Sequence, residues 1–566
     1  MPKLSINVSN DISPEVFNDY FATIGEKVAN SMGEQPYDFS HFKTQSIHTF
    51  LFNEIEVKFI EKLLSSLPNS SKNDILSFDT KLLRLSSKIL APSLTLLFNL
   101  SLKSGYCPDD WKIARVSPAY KGKGNPVQET HYRPLSVIAH IAKAVEKCVQ
   151  KQLIKYLTDH RFITIDQFAY LERHSTQMCL HRLIDDVLEN INCKEKTALC
   201  FLDIKKCFDT INHEILLYKL SCYGIKNTEL MWFKSYLDNR SQIVVNNGLS
   251  SKTLFLNIGV PQGTILGPIL FLLYVNDLSN KVRNAHINIY ADDVVIYASH
   301  SNLTELQNIM QENMTDVLQW YNYNKLALSL DKCSTMVINS DVNKRIEDFN
   351  IYMGTELLNK VTSMKYLGIV IDDKLKWHEQ ITNVTKKVNI NNARLRRARK
   401  ILPRNILLKI HNAISVPIMD YAATVWGHFS EYISNRISRV EHMSARAITA
   451  NYDFINTRGA TLMQELNMPT FKSRNEYYLS LLMFKAIHGL VPDYIANNII
   501  FTYELTKRNL RSFDNMNLYT PTPESEIFRK SLMYAGPTQW NSLPLFLKES
   551  HTLSSFKQLY KYNVKH

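Results

Sequence analysis

Two adjacent carboxylates, Asp292 and Asp293, stand in the stretch Asn288-Ile289-Tyr290-Ala291-Asp292-Asp293-Val294-Val295-Ile296-Tyr297. β-Branched and aromatic runs flank them on both sides, which predicts a strand, a tight turn and a returning strand. Neighbouring carboxylates at such a tip repel each other unless a cation neutralises them. An Asp-Asp pair by itself is usually a solvated turn. A third acid changes the reading, because Asp203 ends the apolar run Thr197-Ala198-Leu199-Cys200-Phe201-Leu202. A strand that finishes in an acid can lay that carboxylate beside the hairpin tip. Three oxygen donors at two strand ends suit a pair of hard divalent cations, Mg²⁺ first and Mn²⁺ as the alternative.

The elements that must position these acids are legible at low resolution. Residues 1–108 read as helical, with Val57-Phe59-Ile60-Leu63-Leu64 and Ile89-Leu90-Leu94-Leu97 at helical spacing. Trp111 to Pro118 reads as a short strand that runs into a basic glycine-flanked loop, Tyr120-Lys121-Gly122-Lys123-Gly124-Asn125-Pro126. A long amphipathic helix is predicted over about Ala139 to Leu157. Gly259-Val260-Pro261-Gln262-Gly263-Thr264 reads as a turn that opens a further helix. Beyond the hairpin, Leu306 to Leu326 reads as helix, and Thr335 to Ile338 and Tyr366 to Ile371 as strands. From about residue 376 the pattern is helical and includes the densest basic run, Asn392-Ala393-Arg394-Leu395-Arg396-Arg397-Ala398-Arg399-Lys400.

The chain has 566 residues, 45% of them hydrophobic, enough for two to four domains or subdomains. Its 66 Lys and Arg against 53 Asp and Glu give a formal charge of +13, which suits a protein that handles a polyanion. The eight cysteines are scattered without a Cys-x-x-Cys pair, so a disulfide framework and a zinc finger are excluded and an intracellular setting is expected. Met1-Pro2-Lys3-Leu4-Ser5 lacks the apolar core of a signal peptide. The most apolar segment, Ile265 to Val275, is too short to span a bilayer. No membrane partner is expected.

Taken together, these segments resemble the reverse transcriptases of non-LTR retrotransposons (LINE elements), most closely the jockey-like group. The resemblance rests on Trp111 to Lys123, Tyr132-Arg133-Pro134-Leu135-Ser136, Gln167 to Thr176, Leu202 to Thr210, Gly259-Val260-Pro261-Gln262-Gly263 and Tyr290-Ala291-Asp292-Asp293, in that order. Asn324-Lys325-Leu326 with Lys332, Tyr366-Leu367-Gly368 and the late Trp540-Asn541-Ser542-Leu543-Pro544 complete it. It implies an α+β right-hand polymerase fold with fingers, an antiparallel-sheet palm and a helical thumb, plus helical N- and C-terminal extensions. The corresponding division is 1–108 extension, 109–372 fingers and palm, 373–450 thumb, and 451–566 of unassigned role. The implied activity is RNA-directed DNA synthesis, with an RNA template, a DNA primer or nicked target DNA, and dNTPs as partners.

The resemblance also assigns roles. Asp203 and Asp292 would hold two metal ions, and Asp293 would be the accessory acid. Lys121 and Arg133 would face the incoming triphosphate, Arg as a bidentate donor and Lys as a point charge. Phe208 would lie under the sugar and exclude a 2′-hydroxyl. Gln262 would contact nucleotide or template, and Lys332 would protonate pyrophosphate. Tyr366, Leu367 and Gly368 would form the primer grip, and Arg394, Arg396, Arg397 and Arg399 would meet phosphates. The chain departs from the family pattern at Ala169, Tyr170 and Leu171, where Gly, Phe and Arg are usual, and at Cys207, where Ala is usual. About 110 residues before Trp111 cannot hold the family's endonuclease, so none is expected here. The rival expectation is a nucleic-acid-binding remnant without activity. As a retrotransposon polymerase the protein is expected in nucleus and cytoplasm as a ribonucleoprotein.

Overall fold

The computed structural model describes residues 12–32, 42, 45–71, 73–122, 124–341, 346, 348–428, 430–505 and 516–563. Met1 to Ser5 and Lys123 of the basic loop lie outside the described residues. The chain is a mixed α and β protein whose described residues fall into two compact units. The first takes the described parts of Met1–Tyr170, Leu202–Arg283 and Asn313–Leu330, and the second those of Leu171–Phe201, Asn284–Glu312 and Asp331–His566.

In the first unit, strands β1 (Ile113–Tyr120) and β2 (Tyr132–Ile138) pair antiparallel, with Tyr120 opposite Tyr132. β4 (Arg240–Asn246) joins β1 in parallel and carries β5 (Leu249–Ser250) and β6 (Leu254–Leu256) antiparallel to itself. The alternating burial of β2 is that of a sheet with one wet face, so Arg133 and Leu135 are exposed while Tyr132, Pro134 and Ser136 are buried. The helix Pro14–Asn30 begins with a Ser13 cap and a proline in its first turn, and puts Phe17 and Phe21 against Val116, Tyr132 and Val244. The predicted amphipathic helix runs His140–Asp159. The apolar segment becomes the helix Gly267–Val275, in which Gly267 and every residue from Ile269 onward are buried. A helix enclosed on all sides has no polar stripe to keep, which explains its uniform sequence.

In the second unit a five-stranded sheet has the order β12 (Asn359–Lys360), β9 (Ser334–Ile338), β3 (Lys196–Asp203), β8 (Asp293–His300), β7 (His286–Tyr290). Strand β3 is buried from Thr197 to Leu202, as a central strand should be. Its last two residues open the next segment of the first unit. A separate two-stranded ribbon pairs β10 (Tyr352–Met353) with β11 (Glu356–Leu357), and another pairs β13 (Ser363–Tyr366) with β14 (Ile369–Asp372). The expected single strand over Tyr366–Ile371 is therefore a hairpin. Leu367 and Gly368 both take positive φ, 42° and 89°, and a run of β-branched residues around one glycine does not reveal that reversal.

Past residue 376 the unit is helical, beginning with His378–Ala398. Its last part has its own core, in which Trp540, Leu543, Leu547 and Phe556 pack on Leu482, Met483 and Phe484. A buried ion cluster ties this helical region together, with Arg474 bonding Asp420 at 2.9 Å and Glu441 at 2.8 Å.

Candidate active site

The first unit gathers four of the predicted nucleotide-side residues around one loop. Lys121 follows β1 directly, its amide donating to the His131 carbonyl at 2.9 Å and its Nζ to the Thr130 carbonyl at 2.7 Å. Arg133, exposed, stands opposite Ala119 on the paired strand. Three residues further along the same strand, the Ser136 amide donates to the Gln262 carbonyl at 2.9 Å. Gly263 allows this contact, because its φ is +120° and a Cβ there would sit 2.4 Å from the Ser136 oxygen. The loop is tied equally to the segment after β3. The Val260 amide donates to the Phe208 carbonyl and the Gly259 amide to the Ile211 carbonyl, each at 2.8 Å. The Phe208 ring is half-buried and rests on Phe271, with centroids 5.0 Å apart.

Glu146 fixes the far end of the loop. Its buried carboxylate accepts from the amides of Ile265 and Leu266 and from the Tyr236 hydroxyl, 2.6, 3.3 and 2.8 Å away. It thereby serves the free N–H groups at the start of helix Gly267–Val275. Burial pushes Glu146 above the usual carboxylate range, opposed by Arg240 and these hydrogen bonds.

Asp209 was in the sequence motif but had no role there. It accepts from Gln262 Nε2 at 2.9 Å, while its other oxygen is buried without a hydrogen-bond partner among the described residues. Burial raises its pKa, against the Gln262 hydrogen bond and the charges of Lys206 and Lys121. An acid directly after the predicted gate residue was the available signal.

Asp203 is the last residue of β3 and half-buried, and its carbonyl accepts from the Ser329 amide at 2.8 Å. In the second unit, Tyr290 pairs with Asp293 across the β7–β8 turn, which leaves Ala291-Asp292 as the two loop residues. Both acids are exposed. Asp293 lies on the side of Cys179 and Tyr366, whose thiol and hydroxyl are both pushed up by burial first and by its charge among lesser causes. Among the described residues no three His, Cys, Asp or Glu side chains assemble as a metal cage. Mg²⁺ takes one or two carboxylates and completes its shell from water and substrate phosphates. The hard oxygen donors Asp203 and Asp292 fit it.

The turn at Leu367-Gly368 is held from outside. Tyr421 donates its hydroxyl hydrogen toward the Leu367 carbonyl at 2.7 Å and stands 2.9 Å from the Thr176 hydroxyl. Its ring covers Gly368, where a Cβ would lie 3.0 Å away. Tyr366 and Leu367 are buried, so Gly368 is the exposed member of the expected primer grip. Nothing in the sequence singled out Tyr421. Lys332 is exposed in the turn before β9. On helix His378–Ala398, Arg394, Arg396 and Arg397 are exposed, whereas Arg399 is half-buried with its guanidinium 5.9 Å over the Tyr452 ring.

Residues 121–371 match the family model for reverse transcriptase, an RNA-dependent DNA polymerase. The chain carries a reverse transcriptase domain. The chain is 27% identical over 424 residues to the RNA-directed DNA polymerase from mobile element jockey of Drosophila melanogaster, covering 72% of this chain and 45% of that protein. It is 28% identical over 405 residues to the probable RNA-directed DNA polymerase from transposon BS of the same species, covering 67% and 43%. The probable RNA-directed DNA polymerase from transposon X-element, again of that species, is 26% identical over 386 residues, 67% of this chain and 42% of the relative. The chain spans less than half of the length of these relatives, which are polymerases of mobile elements and transposons. Among the described residues no helix is long and apolar enough to cross a membrane.

Proposed function

We propose that this chain is the RNA-directed DNA polymerase of a non-LTR retrotransposon. The reading is carried by Asp203 at the end of β3 and Asp292-Asp293 at the turn into β8, two neighbouring strands of one sheet. In this reading β1, β2 and the 259–264 loop are fingers-side parts, the five-stranded sheet is the palm, and the helices after residue 376 are the thumb. Asp203 and Asp292 would hold two divalent ions, which when bound would make the primer 3′-hydroxyl acidic and stabilise the leaving pyrophosphate. Asp293 acts as the accessory acid.

The side chains around them do the rest. Lys121 and Arg133 neutralise the triphosphate of the incoming dNTP. The Phe208 ring, backed by Phe271, occupies the space that a 2′-hydroxyl would need. The primer 3′-hydroxyl gives its proton to water, its oxygen bonds to the α-phosphorus as the α–β linkage breaks, and Lys332 gives a proton to the departing pyrophosphate. Gly368 and the buried Tyr366-Leu367 pair set the height of the primer end. Arg394, Arg396 and Arg397 bind template-primer phosphates, and Arg399 contributes less because Tyr452 holds it. The partners are a template RNA and a primer or a nicked target DNA, with nucleus and cytoplasm as the sites of work.

Primer extension by purified protein on poly(rA)/oligo(dT) with Mg²⁺ and dTTP tests the proposal. Extension is the expected result. Binding of the template-primer with no extension in Mg²⁺ or Mn²⁺ would instead identify an inactive binding remnant.

A further inference from the structure

We infer that Asp209 is a positioning residue that sets which end of the Gln262 amide faces the nucleotide. The inference rests on the polymerase reading of the site. A carboxylate can only accept, so the Gln262 group 2.9 Å from Asp209 is the NH₂ end. The amide is planar and its oxygen therefore turns away from Asp209. Gln262 then offers the site a hydrogen-bond acceptor, and the group it meets on a nucleotide must be a donor. Without Asp209 nothing holds the amide in this polarity, and an Asn in its place, whose NH₂ can donate to the Gln262 oxygen, would favour the opposite one.

The surroundings make Asp209 a rigid reference point. Its backbone is wedged between two glycines: a Cβ on Gly25 would lie 2.0 Å from the Asp209 carbonyl oxygen, and one on Gly259 2.8 Å from it. Its amide donates to the Lys206 carbonyl at 2.8 Å. Lys206 in turn lies 5.0 Å over the ring of Tyr20, on the helix that carries Gly25. Gln262 is fixed at its own backbone through Ser136, so only its side-chain torsion is left to decide, and Asp209 decides it. The second carboxylate oxygen is buried without a partner among the described residues, so no competing donor draws the group away from Gln262. Leaving a buried oxygen unpaired costs stability, which an Asp kept only for packing would not need to bear.

The test is steady-state extension of oligo(dT) on poly(rA), with dTTP varied, for the wild type, Asp209→Asn, Gln262→Ala and the double variant. Asn keeps the shape of Asp but can donate as well as accept, so it loses control of the amide. Asp209→Asn should raise the KM for dTTP about tenfold, keep kcat within about twofold, and leave the template-primer Kd as it was. In the Gln262→Ala background the same substitution should change nothing further, since there is no amide left to orient. A wild-type KM for Asp209→Asn overturns the inference. So does an equal KM rise in both backgrounds, which would mark Asp209 as structural. A wild-type protein that extends no primer would sink the polymerase reading itself, a result distinct from either. If Asp209→Asn fails to fold by thermal melting, Asp209→Ser replaces it with the same expectations.

Discussion

Two hairpins of the second unit end in two-residue turns, Ala291-Asp292 and Leu367-Gly368, and they are held in different ways. Each puts a residue with a Cβ into the left-handed region, Ala291 at φ 55° and Leu367 at φ 42°. That conformation costs about 1–2 kcal/mol for a residue other than glycine. The first turn joins two strands of a five-stranded sheet, where Ile287, Ile289 and Val294 to Ala298 are buried. Pairing along both strands, from His286 opposite Tyr297 to Tyr290 opposite Asp293, holds it in register. The second turn closes a ribbon of only two strands, which is marginal by itself. It is braced from a distance by Tyr421, and by Gln380, whose side-chain oxygen accepts from the Val370 amide at 3.1 Å. Equal local geometry is thus held by a wide sheet in one case and by side chains from distant elements in the other.

The largest expected effect separates the chemistry of the two turns. Asp292→Asn should abolish primer extension while template-primer affinity changes by less than about tenfold, or ~1.4 kcal/mol. Extension and filter binding on one preparation check this, and undiminished extension would remove Asp292 from the metal site.

A methyl group at the second turn comes next. Gly368→Ala places a Cβ against the Tyr421 ring at a φ of +89°, so the protein should lose about 1–2 kcal/mol and extend primers poorly. Thermal melting and extension rates measure the two parts. A variant as stable as the wild type would show that the ribbon does not need Tyr421 where it stands.

Tyr421→Phe keeps the ring and removes one hydrogen bond to Leu367, for a loss of about 0.5–1.5 kcal/mol. Amide hydrogen exchange should quicken at residues 366–369 and stay unchanged at 290–293. Faster exchange at both turns would contradict the contrast drawn between them.

The smallest effect has the opposite sign. Ala291→Gly relieves the left-handed strain but gives up backbone order worth about 0.5–1 kcal/mol, so a net gain near 0.5 kcal/mol is expected in chemical denaturation. A clear loss of stability would mean that the buried Ala291 methyl group matters more than its φ.

The sequence alone determined the elements whose signal is local. Alternating or continuous apolar runs made β3, β7 and β8 readable, and the acids at Asp203, Asp292 and Asp293 could be placed on strand ends. The uniform apolarity of residues 265–275 matched a helix enclosed by protein, and the order of short motifs matched the reverse transcriptase domain later found over 121–371. Only the tertiary structure decided what lies between such segments. Asp209 meets Gln262 across 53 residues and Tyr421 meets Leu367 across 54, and no periodicity carries a contact of that span. It also divided side chains of one type: Arg394, Arg396 and Arg397 face water while Arg399 lies on Tyr452, although all four sit in one basic run. Hydrophobic spacing reports which face of an element is buried. Which distant side chain covers it, and whether a polar atom there finds a partner, depends on how the elements pack.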